Sequence, residues 1–251
     1  MTQNILKNKK KSAICIVVDT KGSSPRKIGA KMTVFSNGSI LGTIGGGNLE
    51  KSVINNAIEQ INRNEAKLFK HDLLHQHNMC CGGQVYIYIE PVMEKKNLFI
   101  FGAGHTAKAL AELAIKLDFE IYIIDNRKDY INAINIEGIN KMNVPYTSAL
   151  PALPFDENSF ITIMTYEHSY DRDILAHCLK QNFAYLGMIG SKRKVELTKK
   201  MFLESKIATI EQLNKVDMPM GININAEGPE EIAISIISIL IAIKNKSLNN
   251  E

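Results

Sequence analysis

The spacing of apolar and polar positions changes rhythm midway along the chain. In the first half, short apolar runs alternate with glycine-bearing turns. Residues 14–19 form a β-branched run that predicts a strand. Residues 31–35 and 39–43 flank Asn37-Gly38, the strongest short-range hairpin signal. After Gly45-Gly46-Gly47, the residues Leu49, Val53, Ala57, Ile58 and Ile61 recur at helical spacing over 48–62. Residues 85–90 predict a further strand and 91–96 a linker. Beyond that point apolar runs alternate with helical patterns. Strands are expected at 98–101, 119–124, 159–164 and 184–189, and helices at 105–117, 171–180, 191–204 and 229–244. Such alternation implies right-handed crossovers and a parallel sheet. The expected fold is α/β: a C-terminal doubly wound parallel sheet over residues 95–251, and a smaller N-terminal α+β domain over 1–94.

Composition narrows the classes. Of 251 residues, 45% are hydrophobic and 22% charged, enough apolar content for a buried core. The net charge of +4 is too small to point to nucleic acid, and the basic runs at 9–11 and 192–194 are short. Residues 1–11 are polar and basic, without the apolar core of a secretory signal. The apolar stretch at 232–243 falls well short of the ~20 residues of a membrane span and reads as a buried helix. The four cysteines, Cys15, Cys80, Cys81 and Cys178, include an adjacent pair and do not form a disulfide framework. A cytoplasmic location is expected, with no membrane partner.

Gly102-Ala103-Gly104-His105-Thr106-Ala107 follows a predicted strand and opens a predicted helix. This is the fingerprint of a Rossmann-type nucleotide-binding domain, with Ala107 at the third position, where only a small residue is needed. Gly102 permits the tight turn, Gly104 lets backbone approach a pyrophosphate, and the helix beginning at His105 offers N–H groups to it. Asp125 follows Gly104 by 21 positions, near the ~20 typical of a ribose-binding acid. Arg127 is open to three roles: a 2′-phosphate partner, a partner for Asp125, or a contact for another anion. The alternative for the glycines is that they serve the turn alone.

A second strand-to-helix turn, residues 187–193, carries Gly190, Ser191 and Arg193 and suits an anion. Equally, Ser191 suits a helix N-cap. Thr165-Tyr166-Glu167-His168 follows the 159–164 strand on the same rim. His168 there is either an acid/base or ligand group or plain polar surface, and Asp171 either orients it or caps the next helix. His71, His75, His77, Cys80 and Cys81 form a dense cluster whose spacing matches no standard zinc site. Cys81-Gly82-Gly83 can present a reactive sulfur or soft metal ligand, or simply a small buried side chain. Ser23, Ser24, Pro25 and Arg26, together with Gly45, Gly46 and Gly47, form two loops suited to a phosphate or a pterin-like heterocycle. Glu50 stands in the first helical turn that follows.

Taken in order, these pieces resemble the XdhC/CoxI family of xanthine dehydrogenase accessory factors. The resemblance spans roughly 14–244 and rests on Gly-Ser-Ser-Pro-Arg at 22–26, Gly-Ala-Lys-Met at 29–32, Gly-Thr-Ile-Gly-Gly-Gly at 42–47 and Leu49-Glu50. It continues through Cys-Gly-Gly at 81–83, Phe-Gly-Ala-Gly-His at 101–105, Asp-Asn-Arg at 125–127, Gly-Met-Ile-Gly-Ser-Lys-Arg-Lys at 187–194 and Pro-Glu-Glu-Ile-Ala at 229–233. It implies an N-terminal XdhC/CoxI-type domain and a C-terminal Rossmann domain. It further implies a maturation chaperone, more than a metabolic enzyme, that binds molybdenum cofactor (molybdopterin) and assists its sulfuration and insertion. The implied partners are a xanthine dehydrogenase-type molybdenum hydroxylase and a cysteine desulfurase, with a homodimer as a further expectation. By this resemblance Cys81 is the candidate molybdenum contact, and the loops at 22–26 and 45–50 surround the cofactor. The alternative is an NAD(P)-dependent oxidoreductase, or another use of a nucleotide. Tyr166 stands where the family carries its first histidine, so two-histidine metal chemistry is not expected. Asn48 and Gly228 also depart from the pattern.

Overall fold

A computed structural model describes residues 11–76, 82–92 and 95–246 of the chain. The chain divides into two compact units, Met1–Glu94 and Lys95–Glu251.

The first unit is an antiparallel sheet with one helix across it. Its strands β1 (Ser12–Lys21), β2 (Lys31–Phe35), β3 (Ile40–Gly42), β4 (Lys67–Asp72) and β5 (Gln84–Val92) lie in the order β3-β2-β1-β5-β4. Period-two alternation along β1 and β5 sends Ala13, Cys15, Val17, Val85, Ile87 and Ile89 to one face. Helix α1 (Gly47–Arg63) covers that face with Leu49, Val53, Ala57 and Ile61, the spacing seen in the sequence. The β2–β3 hairpin turns at Asn37-Gly38, where Gly38 takes φ +79° and Asn37 Oδ1 accepts from the Ser39 N–H at 3.1 Å. Strand β4 has no counterpart among the expected strands. It is an edge strand, largely exposed, and lacks the β-branched content that marks strands in sequence. Residues 91–92, expected to be linker, extend β5 against Ser12 and Ala13.

The second unit is a parallel sheet with helices on both faces. Strands β6 (Lys96–Phe101), β7 (Phe119–Ile124), β8 (Asn140–Met142), β9 (Phe160–Ile163) and β10 (Tyr185–Met188) take the order β10-β9-β6-β7-β8, all parallel. This is the doubly wound α/β arrangement expected from the sequence. Helices α2 (His105–Ala114), α3 (Lys128–Asn132), α4 (Tyr146–Ala149), α5 (His168–Cys178), α6 (Lys192–Glu204), α7 (Ile210–Leu213) and α8 (Gly228–Lys246) complete the unit. Leu98 and Ile100 pack with α2 and α8 on one face, while Phe99 and Phe101 pack with α5 and α6 on the other. The apolar stretch at 232–243 is accordingly a packed helix, docked on α2 through Ala233, Ile236, Ile237 and Leu240. Among the described residues no helix is long and apolar enough to cross a membrane. Strand order reverses between β6 and β9, so the crevice for ligands lies beyond the carboxyl ends of those two strands.

Candidate functional site

Three loops meet in the first unit. Gly45 has φ +135°, and a Cβ there would stand 2.6 Å from Pro25 Cγ. The glycine loop therefore lies directly on the 22–26 loop. Ser23 bridges Gly82, and a Cβ on Gly83 would stand 2.2 Å from the Ser23 carbonyl oxygen. The glycines at 82–83 thus allow the third loop to seat against the first. Glu50 fastens the assembly from α1. Its Oε2 accepts from Thr43 Oγ1 at 2.7 Å, Gly46 N–H at 3.1 Å and Ile44 N–H at 3.3 Å. By sequence Glu50 reads as a helix-dipole acid; its larger role is to hold the loop. Glu50→Ala removes all three bonds and is expected to cost about 1–3 kcal/mol. Faster amide hydrogen exchange at Ile44 and Gly46, with the core of α1 unchanged, checks it.

The top of this assembly is open. At Gly46 and Gly47 an added Cβ would meet no atom of the described residues within 4 Å, and helix α1 starts with no side-chain cap among them. Ser24 donates its hydroxyl to the Arg26 carbonyl at 2.9 Å, and the exposed Arg26 guanidinium meets no carboxylate among the described residues. Cys81, with Cys80 and His77, lies outside the described residues; Gly82, which follows it in sequence, is the residue that bridges Ser23. The rest of the histidine cluster does not gather. His71 is buried in β4, whereas His75 is exposed with Nδ1 3.0 Å from Asp72. Among the described residues no three His, Cys, Asp or Glu side chains are grouped to hold a metal ion.

Burial pushes the thiols of Cys15 and Cys178 up to about 12. Neither forms thiolate at neutral pH, and both are enclosed. Alkylation of the native protein near pH 8 is expected to spare them, and denaturation to release both, as peptide mass mapping will read. Any thiol that reacts in the native protein is then Cys80 or Cys81.

In the second unit the fingerprint glycines divide their labour. Gly102 has φ +113°, and a Cβ there would stand 2.3 Å from the Met164 carbonyl oxygen. It is needed for close approach of the β6 turn to the end of β9. Gly104 has ordinary extended backbone and open space at its Cβ position, and α2 starts after it with no side-chain cap and no first-turn acid. His105, the first residue of α2, is exposed. This helix start is therefore open to an anion.

Asp125 is fully buried and fully engaged. Its Oδ2 accepts from Ala103 N–H at 2.8 Å and Arg127 Nη2 at 2.7 Å, and its Oδ1 from Arg127 N–H at 2.9 Å and Nε at 3.0 Å. Burial pushes the carboxyl up, but the side-chain and backbone bonds from Arg127 and the bond from Ala103 outweigh it and hold it below its ordinary value. A carboxylate has about four lone-pair sites, so none is left for a ribose hydroxyl. Of the three roles open to Arg127, the structure shows the pairing with Asp125. Its guanidinium also lies between the rings of Tyr130 and Tyr166, at 3.8 and 4.0 Å. Tyr166 accepts from Asn126 Nδ2 at 3.2 Å and packs edge-on against Tyr170, which packs on Tyr146. The residue that replaces the family's histidine thus reaches from the β9 loop to the β7 loop. Tyr130 could be suspected from its position one helical turn past Arg127. No local pattern marks Tyr146 or Tyr170.

Asp171, by sequence a cap or an orienter of His168, is a buried tie between loops. It accepts from Thr165 N–H at 3.0 Å, Thr165 Oγ1 at 2.7 Å and Lys194 Nζ at 2.6 Å. His168 Nδ1 is 3.7 Å away and the imidazole is largely exposed. Gly190 leaves room for the returning Lys194 side chain, which also donates to the Ile189 carbonyl at 2.9 Å. Ser191 caps α6 by accepting from the Lys194 N–H at 3.3 Å, and Arg193 projects exposed from the first turn.

The family model of the XdhC Rossmann domain matches residues 98–240, and that of the XdhC and CoxI family matches residues 5–72. The uncharacterized protein YqeB of Escherichia coli (strain K12) is 32% identical over 242 residues, which are 94% of this chain and 44% of YqeB. A probable xanthine dehydrogenase subunit of Bacillus subtilis (strain 168) is 26% identical over 161 residues, 64% of this chain and 46% of that protein. The chain spans less than half the length of these curated relatives. A xanthine dehydrogenase from Bacillus halodurans, solved as a crystal structure, shares the fold with a TM-score of 0.52 at 20% identity, covering 98% of this chain and 95% of that one. With its Rossmann unit matched almost from end to end and its N-terminal unit matched beside it, the chain belongs to the XdhC family.

Proposed function

We propose that this chain is a maturation factor that binds molybdenum cofactor and delivers it to a xanthine dehydrogenase-type molybdenum hydroxylase. One juxtaposition carries the reading. The Gly-Ser-Ser-Pro-Arg loop, the triple-glycine loop and the glycines following Cys81 are packed on one another in one unit. The names of the relatives, one a xanthine dehydrogenase and one a probable subunit of such an enzyme, support the choice of partner.

The residues present suit such a ligand. Gly46 and Gly47 leave open space for a flat heterocycle, and Arg26 and Ser24 offer polar groups beside it. Cys81 would supply a sulfur ligand, a soft donor that suits molybdenum. Molybdenum cofactor supplies the metal centre at which the hydroxylase does its chemistry. The chain's own residues would bind it and present it to a cysteine desulfurase for sulfuration. In the second unit, Gly104 and His105 would take a phosphate at the start of α2, with Gly102, Asp125 and Arg127 shaping the loop behind them. The working place is the cytoplasm, and a homodimer is a natural form for the delivery step. The NAD-dependent form of the competing oxidoreductase needs a free ribose acid, and Asp125 has no lone pair to give.

Co-expression with the hydroxylase tests the role. The chain is expected to raise the sulfurated, active fraction of the hydroxylase, and Cys81→Ser to abolish the gain. Equal hydroxylase activity with and without the chain contradicts it.

A further inference from the structure

A groove of about 590 Å³ runs between α5 and α6. That is the size of a small-molecule site. Four cationic side chains line it, and two of them are already neutralised. Lys194 is held at 2.6 Å by buried Asp171, and Lys200 lies 3.8 Å from Glu204. Arg172 and Arg193 meet no carboxylate among the described residues. Two guanidinium groups from different helices thus share one concavity without a counter-charge. Beside Arg193 is the hydroxyl of Ser191, at the positive end of the 13-residue helix α6.

The floor is apolar. Leu197 and Met201 follow Arg193 at intervals of four, on one face of α6. Leu197 is 60% exposed, the largest exposure among the exposed large hydrophobic side chains of the described residues. From Arg193 to Met201 the helix rises about 12 Å. Arg193 and Ser191 therefore stand at one end of the groove, with a strip of apolar surface leading away from them toward the Lys200–Glu204 pair. A bare inorganic anion would use only the first part.

We infer that this groove binds an organic phosphate: a phosphate ester whose head sits between Arg172, Arg193 and Ser191 and whose flat ring system lies on Leu197 and Met201. Arginine is suited to the head because its planar donors match phosphate oxygens in pairs. The groove is built without the Gly102–Gly104 turn, so this is a second site of the Rossmann unit. It goes beyond the maturation role and stands or falls separately from it.

Calorimetric titration of the full chain with AMP and with inorganic phosphate tests the inference. AMP is expected to bind at least about tenfold more tightly than phosphate, a gap of ~1.4 kcal/mol. The double variant Arg172→Ala/Arg193→Ala is expected to lose AMP binding by at least about tenfold. Both side chains reach solvent, so the thermal midpoint should hold and report an intact fold. Leu197→Ala is expected to weaken AMP and leave the phosphate affinity in place. AMP binding unchanged in the double variant overturns the site, as does the absence of AMP binding by wild type. Equal affinities for AMP and phosphate overturn the ring-binding part. Pterin content enters none of these readouts, so the failure of one proposal is distinguishable from the failure of the other.

Discussion

Asp125→Ala is expected to destabilise the Rossmann unit by about 3–5 kcal/mol, the range for breaking a buried ion pair from one side. The substitution does more than remove one bond. It strands the Ala103 N–H inside the fingerprint turn and leaves the Arg127 guanidinium between two tyrosine rings without its carboxylate. Arg127 keeps some contact with water, which places the cost toward the lower end of that range. Urea unfolding followed by circular dichroism checks it. The pH dependence has a definite sign. Asp125 is held below its ordinary value in the folded state, so its contribution is complete above the unfolded carboxylate range and is lost as pH falls through the folded value. The gap between wild type and Asp125→Asn is therefore expected to be full at neutral pH and to close in acid.

Gly102→Ala is expected to cost about 2–5 kcal/mol, whereas Gly104→Ala should stay within about 0.5 kcal/mol of wild type. The two glycines stand two residues apart in one motif, yet they face different constraints. At Gly102 a Cβ would press on the Met164 carbonyl, which is backbone and cannot swing aside, and φ +113° is unfavourable for any L side chain. At Gly104 the backbone is ordinary and the space is open. The first glycine serves the fold and the second the room before α2. Parallel melts of the two variants separate these roles, and equal destabilisation would refute the division.

Features encoded over a few neighbouring residues are legible in the sequence. The Asn37-Gly38 hairpin, the Ser191 cap and the strand–glycine–helix order at 98–114 all appear where local spacing puts them. Their physics is local: a positive φ, a hydroxyl three residues from an N–H, a small residue in a tight turn. The pairing of Arg127 with Asp125 is one of three readings the sequence allows, and burial decides among them. What stays illegible depends on residues far apart. Asp171 finds Lys194 23 positions later, a partner that no spacing rule reveals. Tyr166 reaches Arg127, with Tyr170 and then Tyr146 packed behind it, only once β7 and β9 flank β6. Strand β4 is recruited by β5 despite its polar sequence. The groove at Arg172 and Arg193 needs two helices side by side.

Pterin content is the most direct test of the central claim that this chain holds molybdenum cofactor. The full chain is purified from a molybdate-supplied host, its ligand is released and oxidised, and pterin fluorescence is measured against protein concentration. The account predicts pterin fluorescence in wild type that falls sharply in Cys81→Ser, while both proteins melt alike. Wild-type protein from that host carrying no pterin, or Cys81→Ser carrying as much as wild type, would contradict it.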